Sequence, residues 1–195
     1  MDAFHIISTA PFFAKNNGAF ALEDFDLFCA VISALEWRRD GSRIFLYCDG
    51  PAADYIRNAG LESVWDGLRQ EVPDDLDGID PEMFWAAGKL LALRRMPAPC
   101  AMVDTDLIVW EKPEFGGELI AAHREDLNPD IYPPLEYFSA PGHSIPEFSR
   151  EVLPLNTAFL YMPDNSLKEF YTSQAIAFMK SAESCGDRLK YMVFA

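Results

Sequence analysis

Short, continuously apolar runs alternate along this chain with segments of helical periodicity, and that alternation leaves few architectures open. Phe4–Ser8, Arg43–Cys48, Pro99–Val103 and Leu155–Met162 are each too short and too uniformly apolar for an amphipathic helix. They read as strands buried on both faces. Between the first two, Asp24–Arg39 carries Phe28, Val31, Ile32 and Leu35 at helical spacing, with acids in its first turn and Arg38 and Arg39 in its last. That pattern predicts a helix packing on those four side chains. Asp49-Gly50-Pro51 ends the second strand and opens a helix closed by Gly60. A further helix runs from Asp80-Pro81 through Phe84, Ala87 and Leu91 to Arg94-Arg95, and a last one is capped by Asn165 or Ser166 and extends to about Ala182. Strand and helix in alternation predict an α/β fold, a mostly parallel sheet flanked by helices.

The chain has 195 residues, about one domain's length. Its 15 Phe, 7 Tyr and 4 Trp supply ample core material, which excludes disorder. Acids number 31 against 16 Lys plus Arg, a formal charge of −15 that repels a phosphate backbone. Nucleic acid is therefore not an expected partner, whereas a small anion brought in by a divalent cation is compatible with such a field. No apolar stretch reaches the ~18 residues of a membrane span, and the start has an acid where a secretory signal carries Lys or Arg. Cys29, Cys48, Cys100 and Cys185 are widely spaced and form no CxxC pair, so buried free thiols in a reducing cytoplasm are expected. Residues 71–82 hold six acids and no base and read as a solvated loop. Residues 124–150 read as a long aperiodic loop, and Glu118–Ala122 as a short strand.

The most informative segment follows Pro99–Val103. Asp104-Thr105-Asp106 comes directly after this buried run, at the carboxyl end of a central strand, where open α/β sheets place their ligands. If the extended backbone persists through Thr105, both carboxylates project to one side. Two adjacent carboxylates raise one another's pKa, and a hard cation removes that penalty. Mg²⁺ or Mn²⁺ takes one or two carboxylates together with substrate phosphates. The same spacing arises without such a context at Asp24 and Asp26, so the apolar flank at residue 104 carries the reading.

Met102–Trp110 resembles the DxD region of glycosyltransferases with the nucleotide-sugar-binding GT-A fold. Phe84-Trp85-Ala-Ala-Gly-Lys89 is similar to the helix that supplies a basic residue to the donor in such enzymes. Thr9-Ala10 resembles the nucleotide-binding start of the fold, and Leu155-Asn156-Thr157-Ala158-Phe159 the later strand bordering the sugar and acceptor. The likeness extends from residue 4 to about 180 and points to an uncharacterised bacterial group of sugar transferases, distantly similar to the glycogenin and lipopolysaccharide-galactosyltransferase type. It implies one Rossmann-like GT-A domain over 1–195, with residues 1–110 as the nucleotide half and 111–195 as the sugar and acceptor half.

The resemblance further implies that Asp106 ligates Mn²⁺ or Mg²⁺, that Asp104 contacts metal or ribose, and that Lys89 faces the diphosphate. Thr9 and Ala10 would contact the donor, and Asn156 and Thr157 the sugar or acceptor. The implied partners are a nucleotide-diphospho-sugar and a carbohydrate or lipid-linked acceptor. Relatives often add a late histidine ligand. Here His123 and His143 are candidates, while His5, on the first strand, reads as structural. No base is assigned. Two alternatives remain: a remnant that binds or hydrolyses nucleotide sugars without transfer, and a haloacid-dehalogenase-like phosphatase, whose motif expects Thr or Val where Ile108 stands. The apolar end Leu189–Ala195 is expected to dock into the core or to cover an interface in a homo-oligomer, and relatives extend past it, so the acceptor side is expected to be curtailed.

Overall fold

The computed structural model describes residues 1–126 and 153–182. Cys185, His143 and the apolar end 189–195 lie outside the described residues. β1 (Asp2–Ile7), β2 (Arg43–Cys48), β3 (Leu68–Arg69), β4 (Cys100–Val103), β5 (Ile120–Arg124) and β6 (Leu155–Met162) form one sheet in the order β3-β2-β1-β4-β6-β5. β1 runs parallel to β2 and to β4, and β2 parallel to β3. β6 is antiparallel to both β4 and β5, so a single reversed strand interrupts a mostly parallel sheet. The protein is thus α/β, with a sheet covered on both faces. Among the described residues no helix is long and apolar enough to cross a membrane.

Helices α2 (Asp24–Arg38) and α3 (Gly50–Asn58) cover one face, following the short α1 (Ala10–Phe13). Side chains alternate along β1, so Ala3 and Ile7 join Ala34, Trp37 and Ile56 on that face. Phe4 points the other way, with Met102 and Leu160, under α4 (Ala87–Arg95) and α5 (Asn165–Ser181). Lys168, buried in α5, donates to the carbonyl of Met96 at the end of α4. Asn165 accepts from the Ala98 amide at 3.0 Å, so α5 is pinned to the connection that leads into β4. The cap of α5 is Asp164, one residue before the expected pair, its carboxylate accepting from the Leu167 amide at 2.9 Å.

Three expectations are corrected. Of Phe28, Val31, Ile32 and Leu35, only Val31 packs against the core of the α2 face, while Phe28 and Leu35 are exposed. The buried face of α2 is Cys29, Ala30, Ser33, Ala34 and Trp37, a mostly small-residue face that lets the helix approach the sheet closely. The helix expected from Asp80 begins at Ala87, because Asp80 accepts from the amides of Glu82 and Met83 and makes a local turn there. The acidic loop is not merely solvated, since Val72, Leu76 and Ile79 are buried in the α4–α5 core.

His5 is buried on the α2 face and is structural, as its place on β1 suggested. The indole N–H of Trp65 can only donate, so His5 Nδ1 accepts it at 3.2 Å and the ring proton sits on Nε2. Nε2 then donates to Ser33 Oγ at 3.1 Å, and that hydroxyl donates onward to the carbonyl of Leu107. Desolvation lowers the His5 pKa to about 3. The folded state therefore binds fewer protons than the unfolded chain between that value and about 6.5, and stability is lost as pH falls through this window. In NMR titration the His5 ring should stay neutral, with its proton on Nε2, between about pH 8 and pH 5. An ordinary imidazole titration would show that the relay is broken.

Candidate functional site

β4 is buried throughout, and the Asp104 amide extends its pairing with β6 by donating to the Ala158 carbonyl at 2.7 Å. There the extended backbone stops. The Leu107 amide donates to the Asp104 carbonyl at 3.0 Å, closing a turn through Thr105 and Asp106. The alternation that was expected to aim both carboxylates to one side therefore does not continue. Asp104 is partly buried at the strand end, and Asp106 is exposed on the turn.

Lys89 and Asp104 are brought together. The ammonium lies 2.7 Å from Asp104 Oδ2, each side chain being 19% exposed. Lys89 also sits 5.7 Å from the centre of the Trp85 ring. The neighbouring Gly88 explains how α4 comes close enough, because a Cβ there would lie 2.9 Å from Ser8 Cβ at the end of β1. Asp104 Oδ1 is buried and has no hydrogen-bond partner among the described residues. Burial raises the Asp104 pKa, Lys89 opposes that shift by charge and hydrogen bonding, and Asp106 adds a smaller upward push.

A cavity of about 670 Å³ opens beside this pair. Lys89, Asp104, Glu125, Asn156 and Thr157 form its polar part, with Met102, Leu160, Tyr171 and Met179 among its apolar walls. Both polar ends of the Asn156 amide are engaged: Nδ2 donates to Glu125 Oε1 at 2.7 Å and Oδ1 accepts from the Ala158 amide at 2.9 Å. Asn156 thus positions Glu125, a residue that sequence reasoning passed over although it directly follows β5. His123 is largely exposed, its Nε2 4.0 Å from Glu125.

Thr9 and Ala10 do not line this cavity. Thr9 is buried, with its amide and hydroxyl both donating to Asp49 Oδ2. Ser8 donates to the same oxygen at 3.3 Å, and Asp49 Oδ1 accepts from the Ala52 amide at 3.1 Å to cap α3. Thr9 here joins the ends of β1 and β2, and Ala10 opens α1. Asp49 was legible only as the break before Gly50-Pro51.

No group of three or more His, Cys, Asp or Glu converges among the described residues. A metal would therefore rest on Asp104, with Asp106 outside the cavity lining, and would take most of its oxygens from a ligand or water. The unpartnered Asp104 Oδ1 fits that role. Cys29, Cys48 and Cys100 are free, buried thiols. Burial pushes Cys48 up to about 12 and Cys100 up to about 11, so neither is a nucleophile or a soft ligand at neutral pH.

Fold and cavity together define an α/β protein with a ligand-sized hollow at the carboxyl end of a central strand. No family model, curated protein or solved structure matches the chain.

Replacing Lys89 by Met removes the counter-charge and leaves the Asp104 carboxylate desolvated. Its pKa should rise further, so the folded state holds a proton that the unfolded chain has released above about pH 4. The variant should lose stability as pH rises above that value, by about 1–3 kcal/mol relative to wild type at neutral pH. Urea unfolding across pH measures this, and parallel wild-type and variant profiles would mean that the pair is not formed.

Proposed function

We propose that this protein is a metal-dependent glycosyltransferase of the GT-A type, binding a nucleotide-diphospho-sugar in the cavity at the carboxyl end of β4. The observation that carries the reading is the buried, unpartnered oxygen of Asp104, at a strand end bordering a cavity of small-ligand size. The strand order supports it. β3-β2-β1-β4 is the order of a mononucleotide-binding half-sheet, and its direction of winding reverses between β1 and β4, where such sheets take their ligands. The DxD segment, with Lys89 on the preceding helix, occupies that point.

In this reading Asp104 and Asp106 would hold Mn²⁺ or Mg²⁺, which would supply positive charge for the leaving diphosphate. Lys89 opposes the upward push of burial on the Asp104 pKa and is placed to carry part of the diphosphate charge. The acceptor hydroxyl oxygen bonds to the anomeric carbon as that carbon's bond to the diphosphate breaks, and the hydroxyl proton passes to the departing diphosphate. Asn156 and Thr157 border the sugar, with Asn156 acting through Glu125. That hydrogen bond favours a second reading, binding or slow hydrolysis without transfer, because it turns both side chains toward each other.

A thermal-shift panel of nucleoside diphosphates and nucleotide sugars, with and without Mn²⁺, tests the proposal. A bound donor at ~100 times its Kd should stabilise the fold by about 2.7 kcal/mol. Asp106→Asn should abolish the metal-dependent shift and leave the unliganded melting temperature unchanged, since Asp106 is exposed. Donor consumed without acceptor would select the hydrolytic reading. No shift with any nucleotide would remove the transferase reading.

A further inference from the structure

α2 carries two apolar faces and the sheet uses one of them. Ala30, Ala34 and Trp37 are within 1% of complete burial, while on the opposite side Phe25, Phe28 and Leu35 are 74%, 60% and 52% exposed. Ile32, partly exposed, completes a row at 25, 28, 32 and 35. Steps of three and four place these side chains in one line along the helix, the spacing of a seam between two helices. Monomeric proteins rarely leave so continuous a row in water.

The charge at the two ends of the row identifies its occupant. Asp24 and Asp26 stand in the first turn of α2 and have no ion-pair partner among the described residues. Arg38 and Arg39 close the helix. Arg38 is held by Asp66 at 3.3 Å and by the carbonyls of Ser63 and Val64, so its guanidinium is already ordered. Arg39, largely exposed, pairs with Glu36 at 3.0 Å and donates to the carbonyl of Trp110, whose indole is 62% exposed. A helix acidic at one end and basic at the other is complementary to itself when reversed.

We propose that α2 is a self-association surface and that a second copy of this chain docks on it with its own α2 antiparallel, about a two-fold axis near residue 30. Phe25 then packs against Leu35 of the second copy and Phe28 against its Ile32. Asp24, which flanks the row, faces the second copy's Arg38 and Arg39, while Asp26 points away from the seam. The seam lies on the sheet face opposite the cavity at Asp104, so both copies keep their cavities open.

Sedimentation of the full chain should show a dimer at tens of micromolar that dissociates on dilution. Phe28→Glu with Leu35→Glu should raise the dissociation constant more than about tenfold with an unchanged melting temperature, since both side chains are exposed. Asp24→Lys alone and Arg39→Glu alone should each weaken the dimer about two- to fivefold, and the double variant should restore it. A dimer indifferent to the two glutamates, or charge reversals whose combination is worse than either alone, would overturn the antiparallel α2 pairing. So would a wild-type monomer at every concentration, including one that sediments with neutral phospholipid vesicles instead.

Discussion

The neutral imidazole of His5 joins parts of the chain that are distant in sequence. Trp65 reaches it from the segment before β3, Ser33 from α2, and through Ser33 the carbonyl of Leu107, one residue beyond the Asp104–Asp106 turn. An uncharged ring is required, because its two nitrogens must play different parts, one accepting from an indole and the other donating to a hydroxyl. Burial secures that state by penalising the imidazolium far more than the imidazole. α2 presents the small polar side chain of Ser33 to this ring, on an inner face that also carries Cys29, Ala30, Ala34 and the fully buried Trp37. The seat of α2 on the sheet and the chain leaving the Asp104–Asp106 turn are thus tied to one ring.

A second buried polar centre organises the carboxyl ends of the parallel strands. Asp49 takes hydrogen bonds from Ser8, Thr9 and Ala52, tying the end of β1 to the end of β2 and to the start of α3. Ser8 also meets Gly88, so the placement of α4, and with it Lys89, depends on the same strand end. The pair Lys89–Asp104 then sits between two rigid references: β4 held in the sheet, and α4 seated on β1. A polar group in such a frame loses little conformational entropy on meeting a ligand, which is the physical meaning of preorganisation.

Much of this was legible from residue order, and what was not has identifiable causes. The strands at residues 43–48 and 155–162 and the helix from residue 24 stand where apolar periodicity and end signals placed them. β3 has two residues and pairs only by meeting β2, so it leaves no local pattern. The inner face of α2 was misread because periodicity marks every apolar stripe alike, while choice between two stripes is made by the sheet and by His5. Lys89 and Asp104 were legible as candidates, fifteen residues apart across a helix and a strand, and their contact follows from topology. The exposure of Asp106 and the sequestration of Thr9 were not legible. Each depends on one tertiary hydrogen-bond arrangement, the turn closed by Leu107 and the acceptance by Asp49.

The charge of the chain finally bears on what the cavity can hold. Fifteen net negative charges set a field that opposes any anion, and at physiological ionic strength screening acts over about 8 Å, too far to protect groups inside a cavity. Within the cavity Lys89 is already matched by Asp104, while Glu125 adds a carboxylate to the wall. A diphosphate entering alone would meet no net positive charge there. In the proposed reading a divalent cation held at Asp104 and Asp106 would reverse that balance and relieve the repulsion between the two carboxylates. The acidity of the chain and a phosphate-bearing ligand are, in that reading, therefore compatible through a cation.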